Sequence, residues 1–389
     1  MHGRVDAMKA RGEDVIDFSI AISHFQAPEP VLDAVQKGLQ LPSLPYTAVG
    51  GDLQIRTRLA AKVVNENRIP ATPAEILVTN GCKQALYQAL YVMADPGDAV
   101  IIFKPHWPAY VATCKLLELR PVLVDLPAEI TDAVLDSLPP ARILIINNPH
   151  NPTGAVLSEV ELDRIAAWLK RRSAMAIVDE SYEKLIFDGV HTSLAARPDW
   201  RDTGIVTLFS ASQSYAMMGW RAGFAVAPAH VVTAMETLQG PITAAAPMLI
   251  QLAMAAAFES GEPSDMLRDY RQRRNLVLDL VHDVPWLSMH RPASGPYLWA
   301  DVSRLTMDTV AFSERLLSEC AVAVMPGDAL GVPGFIRIGY ISDDVATLRK
   351  GVQAIISFGD ALHISPHSAV PGAEHGAEHG AVHHTLQNA

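Results

Sequence analysis

Three segments of this chain carry side chains whose types and spacing can do chemistry, and each follows a short apolar run. Asn147-Asn148-Pro149-His150-Asn151-Pro152-Thr153-Gly154 packs two Asn-Pro turns into one short span. Such turns stiffen a loop, and here the loop leaves the end of a run that reads as a buried strand, the place where open α/β sheets put ligands. Asp179-Glu180-Ser181-Tyr182 follows a second such run. A carboxylate and a phenol three residues apart can reach one ligand from a strand end, although a helix-capping Asp with an incidental Tyr gives the same string. Ser210-Ala211-Ser212-Gln213 leads on to Arg221 and Gly223. Two hydroxyls and a guanidinium form a donor set suited to a phosphate.

The elements that must position these residues follow from periodicity. Short Val- and Ile-rich runs at Ile76–Thr79, Ala99–Phe103, Arg120–Asp125, Ile143–Asn147, Ala174–Val178, Ile205–Ser210 and Gly223–Ala227 alternate with amphipathic stretches such as Cys82–Ala94, Ala109–Leu119 and Glu159–Arg171. This alternation predicts an α/β sandwich of about seven strands, mostly parallel and covered by helices. A long helix is expected over Pro247–Leu280. From Pro285 the pattern changes to strands at Ser288–His290, Tyr297–Asp301, Val322–Met325 and Phe335–Ile341, with helices at Thr309–Glu319 and Asp344–Ile356, a compact α+β unit. The expected organisation is an N-terminal segment 1–35 that joins the small domain, a large domain 36–284 and a small domain 285–358. Residues 359–389, rich in Gly, Ala and His, read as a disordered tail. His375, His379 and His383 recur there every four residues, but the intervening glycines oppose a helix, and no metal site is assigned.

Composition narrows the function classes. The 389 residues carry 31 Lys and Arg against 42 Asp and Glu, and a net charge of −11 argues against a nucleic-acid groove or an anionic membrane surface as the main partner. Cys82, Cys114 and Cys320 show no paired spacing, which points to a reduced, cytoplasmic protein without a disulfide framework. No stretch has the roughly 18 apolar residues of a membrane span.

The three motifs, in this order and spacing, resemble those of the class I aminotransferases, fold type I enzymes of pyridoxal 5′-phosphate (PLP). Further segments carry the same resemblance: Tyr46-Thr47-Ala48-Val49-Gly50-Gly51, the helix start at Val78–Leu86, the aromatic stretch Pro105–Tyr110 and the strand Gly334–Ile338. The resemblance implies an α/β fold with a large domain, a mostly parallel seven-stranded sheet and a smaller α+β domain. It also implies an amino acid and a keto acid as substrates. It assigns Asp179 to the pyridine nitrogen, Tyr182 and Asn151 to the ring's phenolic oxygen, and Trp107 to the ring face. Amides at Cys82 and Lys83 with Ser210, Ser212 and Arg221 would hold the phosphate, and Arg337 would clamp the substrate carboxylate. For Trp107 an ordinary core residue, and for Arg337 a surface salt bridge, are the plain alternatives. Tyr46 would reach the phosphate of a neighbouring subunit, implying a homodimer.

One position departs from the pattern. Where the family carries the lysine that forms a Schiff base with PLP and shuttles the proton, this chain has Gln213. A neutral amide can neither form an imine nor act as a base near neutral pH. Three explanations stay open: an engineered trap, a natural enzyme that takes a preformed PLP–amine adduct, or a cofactor-binding protein without turnover. Elimination, cyclisation or oxidation on the same scaffold are alternatives to amino transfer. Lys83, Lys104 and Lys184 lie near the mapped segments, and none is assigned the missing role. Ser19–Phe25 stands where relatives carry a substrate loop, so His24 is a candidate substrate contact, with a hydrogen-bonded loop histidine as the plain alternative. No second arginine for a dicarboxylate declares itself, which favours an apolar, aromatic or unusual amino acid.

Overall fold

A computed structural model describes residues 1–342 and 344–364; the proposed tail histidines His375, His379 and His383 lie outside the described residues. After a two-residue strand β1 (Ile16–Asp17), seven strands build the large sheet: β2 (Ile76–Thr79), β3 (Ala99–Lys104), β4 (Arg120–Asp125), β5 (Ile143–Asn147), β6 (Met175–Asp179), β7 (Ile205–Ser210) and β8 (Gly223–Val226). Their order is β2-β8-β7-β6-β5-β3-β4. All neighbouring pairs are parallel except those of β8, which runs antiparallel to both β2 and β7. The carboxyl ends of β2, β3, β5, β6 and β7 therefore share one edge of the sheet, and β8 begins there. Every chemistry-bearing motif in this sheet leaves or enters at that edge.

The inner strands are buried along nearly their whole length, as near-continuous apolar runs in parallel sheets require. Alternate side chains feed two cores. Ile101, Leu144, Val178 and Phe209 face one layer with helices Leu53–Asn65, Glu159–Arg172 and Met248–Glu259. Ile102, Ile145, Ile177 and Leu208 face the other with helices Cys82–Met93, Pro108–Leu116 and Ala229–Thr243.

The smaller unit is an antiparallel sheet in the order β12 (Met325–Pro326), β13 (Phe335–Gly339), β10 (Tyr297–Asp301) and β9 (Ser288–Met289). Beside it β1 pairs in parallel with β11 (Val322–Ala323). Ile16 and Phe18 enter one core with Leu298, Ile336, Ile338 and Val352. This packing supports the partition we propose, in which the N-terminal segment completes the small domain. Met266, Tyr270 and Val277, from residues assigned to the large domain, join the same core.

Four expectations need correction. The helix expected over Pro247–Leu280 is two, Met248–Glu259 and Ser264–Val281. Gly261 between them has φ +79°, and Pro263 lacks the N–H that would continue the first. The strand expected at Val322–Met325 divides because Ala323 pairs with Asp17 while Met325 pairs with Arg337, so the chain passes from one sheet to the other at Val324. The helix expected to end at Leu119 stops at Leu116, and Glu118 takes a left-handed φ of +56°. The tail expected from residue 359 is helical over 359–364: the last helix runs Val345–Ile364, and Trp286 Nε1 donates to Asp360 at 2.8 Å. Among the described residues no helix is long and apolar enough to cross a membrane.

Candidate active site

The loops at the shared sheet edge enclose a cleft of about 920 Å³ that reaches across to β13. At one end, three segments meet closely. Gly81 caps the helix Cys82–Met93 with φ +81°, and a Cβ there would lie 2.5 Å from an Arg221 guanidinium nitrogen. A Cβ on Gly223 would lie 2.7 Å from the Cys82 amide. Only glycine lets the arginine and the second strand come this near the helix start. Arg221 itself has φ +55° and donates from NH1 to Met218 O at 3.1 Å. Ser210 Oγ accepts from the Ser212 amide at 3.2 Å, and both serines line the cleft with Cys82, Lys83 and Arg221. A helix N-terminus, two hydroxyls and an exposed guanidinium form a cup for a phosphate-sized anion.

In the middle of the cleft, β6 ends in Asp179, 4% exposed. Its carboxyl group accepts from Tyr110 OH at 2.7 Å, from Ser181 Oγ at 2.6 Å, from the Ser181 amide at 3.0 Å and from Cys82 Sγ at 3.8 Å. Burial and the neighbouring Asp179 push the Tyr110 phenol and the Cys82 thiol well above their ordinary values, so both keep the protons they donate. Trp107 is half-buried, edge-on to Tyr110 with ring centres 5.5 Å apart, and Lys83 Nζ stands 5.2 Å from its ring centre. Its place on the cleft wall differs from that of an ordinary core tryptophan.

The far wall is polar and cationic. Asn151 Nδ2 donates to Tyr182 OH at 3.2 Å, and Arg337 NH1 donates to Asn151 Oδ1 at 3.3 Å. Burial raises the Tyr182 phenol well above its ordinary value, with Arg337 opposing the shift. Arg337 NH2 donates to Ser19 O at 2.8 Å, its guanidinium lies 4.1 Å from the Tyr297 ring centre, and Nε has no hydrogen-bond partner among the described residues. Arg337 is only 5% exposed, and no carboxylate pairs with it among the described residues, so this is not a surface salt bridge. A buried cation in this state lacks the counter-charge that an anionic ligand brings.

Gln213 sits in the short helix Ala211–Ser214 on the cleft wall. Of the nearby lysines, Lys104 pairs with Asp125 at 3.0 Å and Lys184 with Glu66 at 2.6 Å, while Lys83 lines the cleft. Two sequence candidates lie elsewhere. Tyr46 is 94% exposed and outside the cleft of its own chain. His24 has Nδ1 3.0 Å from Ile341 O and Nε2 3.7 Å from Asp269, the arrangement of a hydrogen-bonded loop histidine; from its segment Ile20, Ala21 and Ile22 line the cleft instead. Tyr110, Ser181 and Ser19 stand in segments that the sequence singles out, but their contacts to Asp179 and Arg337 are visible only in the fold. Tyr110 was findable, because it stands in the same aromatic stretch as Trp107, in the first turn of the helix that Trp107 precedes.

The Aminotransferase class I and II family profile matches residues 13–355. The aspartate aminotransferase of Thermotoga maritima is 30% identical over 371 residues, covering 92% of this chain and 95% of that protein. The arginine–pyruvate transaminase of Pseudomonas aeruginosa is 31% identical over 351 residues, covering 88% and 89%. Among solved structures, Thermus thermophilus aspartate aminotransferase with maleate matches with a TM-score of 0.86 at 30% identity, over 92% of this chain and 95% of that one. Members of the family use PLP, and the phosphate cup, the buried Asp179 and the half-buried Trp107 fit that group. The chain belongs to the class I and II aminotransferases, PLP-dependent transferases of fold type I.

Proposed function

We propose that this cleft binds PLP without a covalent bond to residue 213 and takes an amino acid or keto acid by its carboxylate. One observation carries the reading: an anion cup, a buried acidic group and a buried arginine with no carboxylate partner among the described residues line a single cleft. The phosphate belongs in the cup of Cys82, Lys83, Ser210, Ser212 and Arg221. Asp179, held by Tyr110 and Ser181, faces the ring nitrogen, Trp107 covers the ring, and Asn151 with Tyr182 donates to the phenolic oxygen. When bound, the cofactor supplies an electron sink for the carbon that loses its proton. Arg337 orients the substrate carboxylate, with Asn151 bonded to its guanidinium. Gln213 neither forms an imine nor takes the proton, so this chain is impaired in complete amino transfer. That holds whether Gln213 is an engineered trap or a natural divergence.

The exposure of Tyr46 supports a homodimer in which Tyr46 reaches the partner's phosphate. A cytoplasmic setting fits the unpaired cysteines. The named relatives act on substrates as different as aspartate and arginine, so the side chain is not carried over from them. Walls of Ile20, Ile22, Leu116 and Met325 favour an apolar or aromatic one. The alternative on this scaffold is elimination, cyclisation or oxidation, or adduct binding without turnover.

Restoring the lysine tests the reading. Gln213→Lys should produce keto acid from an amino acid at least a hundredfold faster than the parent chain, about the loss typical of a missing acid–base group, and borohydride should fix a cofactor mass on residue 213. Ammonia release in place of amino transfer would favour elimination. Cofactor fixed on Lys83 of the parent chain would overturn the noncovalent reading.

A further inference from the structure

The carboxamide of Gln213 is engaged at one end only. Nε2 donates to the Ala21 carbonyl at 3.3 Å, whereas Oε1 is buried and has no hydrogen-bond partner among the described residues. A carbonyl can only accept, so the Ala21 contact settles which end of the amide points at it and leaves the acceptor oxygen free. A buried acceptor without a donor costs free energy until one arrives. Of the cleft's cations, Lys83 lies over Trp107, Arg221 binds Met218, and Arg337 binds Ser19 and Asn151, so none is bonded to Oε1. A ligand in the same cleft can supply that donor.

We infer that Gln213 makes the cleft selective for the amine form of the cofactor, pyridoxamine 5′-phosphate, over the aldehyde form. The inference rests on the cofactor reading above, which sets residue 213 against the carbon that carries the aldehyde or the amine. An aldehyde oxygen offers only lone pairs and would face Oε1 acceptor to acceptor. A protonated amine offers N–H donors and a positive charge to the same oxygen, a charge-assisted contact. A lysine at this position acts oppositely, since it bonds to an aldehyde and repels an ammonium. Binding is noncovalent, with no bond made or broken, and Gln213 acts as a specificity residue.

Calorimetric titration of the intact protein with pyridoxamine 5′-phosphate and with 4′-deoxypyridoxine 5′-phosphate, which bears an unreactive methyl group, tests this. The parent chain should bind the amine about tenfold tighter, the size of one hydrogen bond to a charged group. Gln213→Leu should remove the difference while leaving the methyl ligand's affinity in place, and Gln213→Glu should widen it. Equal affinities in the parent chain, or a preference that survives in Gln213→Leu, would overturn the inference and leave the cofactor reading standing. Failure of both ligands to bind would overturn the cofactor reading and the inference with it.

Discussion

Asp179 gathers four donors from three segments that are far apart in sequence: Tyr110, the Ser181 hydroxyl and amide, and Cys82. Its strand end supplies the position, and these donors hold its orientation. Asp179→Asn would keep much of the shape while removing the charge assigned to the ring nitrogen. In the Gln213→Lys background it should slow exchange of the amino acid's α-proton into deuterated water by about a hundredfold. Cofactor occupancy, carried mainly by the phosphate cup, should change much less. Unchanged exchange, read by proton NMR, would remove Asp179 from this role.

At the level of elements, the last helix shows how packing overrides composition. Gly359 stands where the sequence turns Gly- and His-rich, yet it lies in the helix against Trp286, and an added Cβ would come within 2.1 Å of the indole. Gly359→Ala gains about 1 kcal/mol of helix propensity, but the overpacking costs roughly 1–3 kcal/mol. The expected net effect is a loss of stability. Gly3, in the helix His2–Ala10, is exposed with open space beside it, and Gly3→Ala should instead stabilise by about 0.5 kcal/mol. Urea midpoints of the two variants should move in opposite directions. A stabilised Gly359→Ala would show that the helix–indole contact yields easily.

For the whole molecule, a buried cluster of titratable groups begins one residue past Asp179. Glu180, Glu183 and His191 have ligand atoms within 4.8 Å of one another, and Lys62 already supplies a cation, bonded to Glu183 and 4.7 Å from the Phe209 ring centre. Burial pushes the Glu180 carboxyl from 4.5 up to about 8 and the His191 imidazole from 6.5 down to about 4. Folding therefore takes up a proton at Glu180 between pH 4.5 and 8, so that contribution to stability is complete at low pH and lost as pH rises through 8. Folding releases a proton from His191 between pH 6.5 and 4, so that contribution is complete above 6.5 and lost as pH falls. The two slopes oppose each other between 4.5 and 6.5, leaving a net loss between 6.5 and 8. Glu180→Gln, which mimics the protonated acid, should flatten that alkaline loss in urea unfolding followed against pH. An unchanged profile would assign the loss to other groups.

Assembly belongs to the same scale. With Tyr46 94% exposed in the single chain, the shared-site proposal requires a partner. Tyr46→Phe should weaken binding of pyridoxamine 5′-phosphate by about 1 kcal/mol, one hydrogen bond, with the dimer intact by light scattering. A monomer that binds at full strength would leave Tyr46 an ordinary loop residue.

The strands of the large sheet were legible because they are buried on both faces, which forces apolar runs such as Ile143–Asn147 between turn residues. The motifs at their carboxyl ends were legible for a related reason. Asn-Pro turns, a carboxylate after a strand and a Ser-rich turn are local patterns, and their chemistry depends on residue type. Gln213 was the clearest case, since an amide's lack of basicity is independent of its surroundings. Long-range packing decided the rest. That Arg337 is buried with no carboxylate partner among the described residues, that His24 turns to Ile341, and that Gln213 binds Ala21 by one end and meets no donor among them at the other all depend on Ser19–Phe25 lying between β13 and the sheet edge. The helix break at Gly261 and the helical reach to Ile364 were decided by which surfaces met there, as the indole against Gly359 shows. Residue type carries chemistry along the chain, but whether a polar atom finds a partner is fixed only when distant segments are packed together.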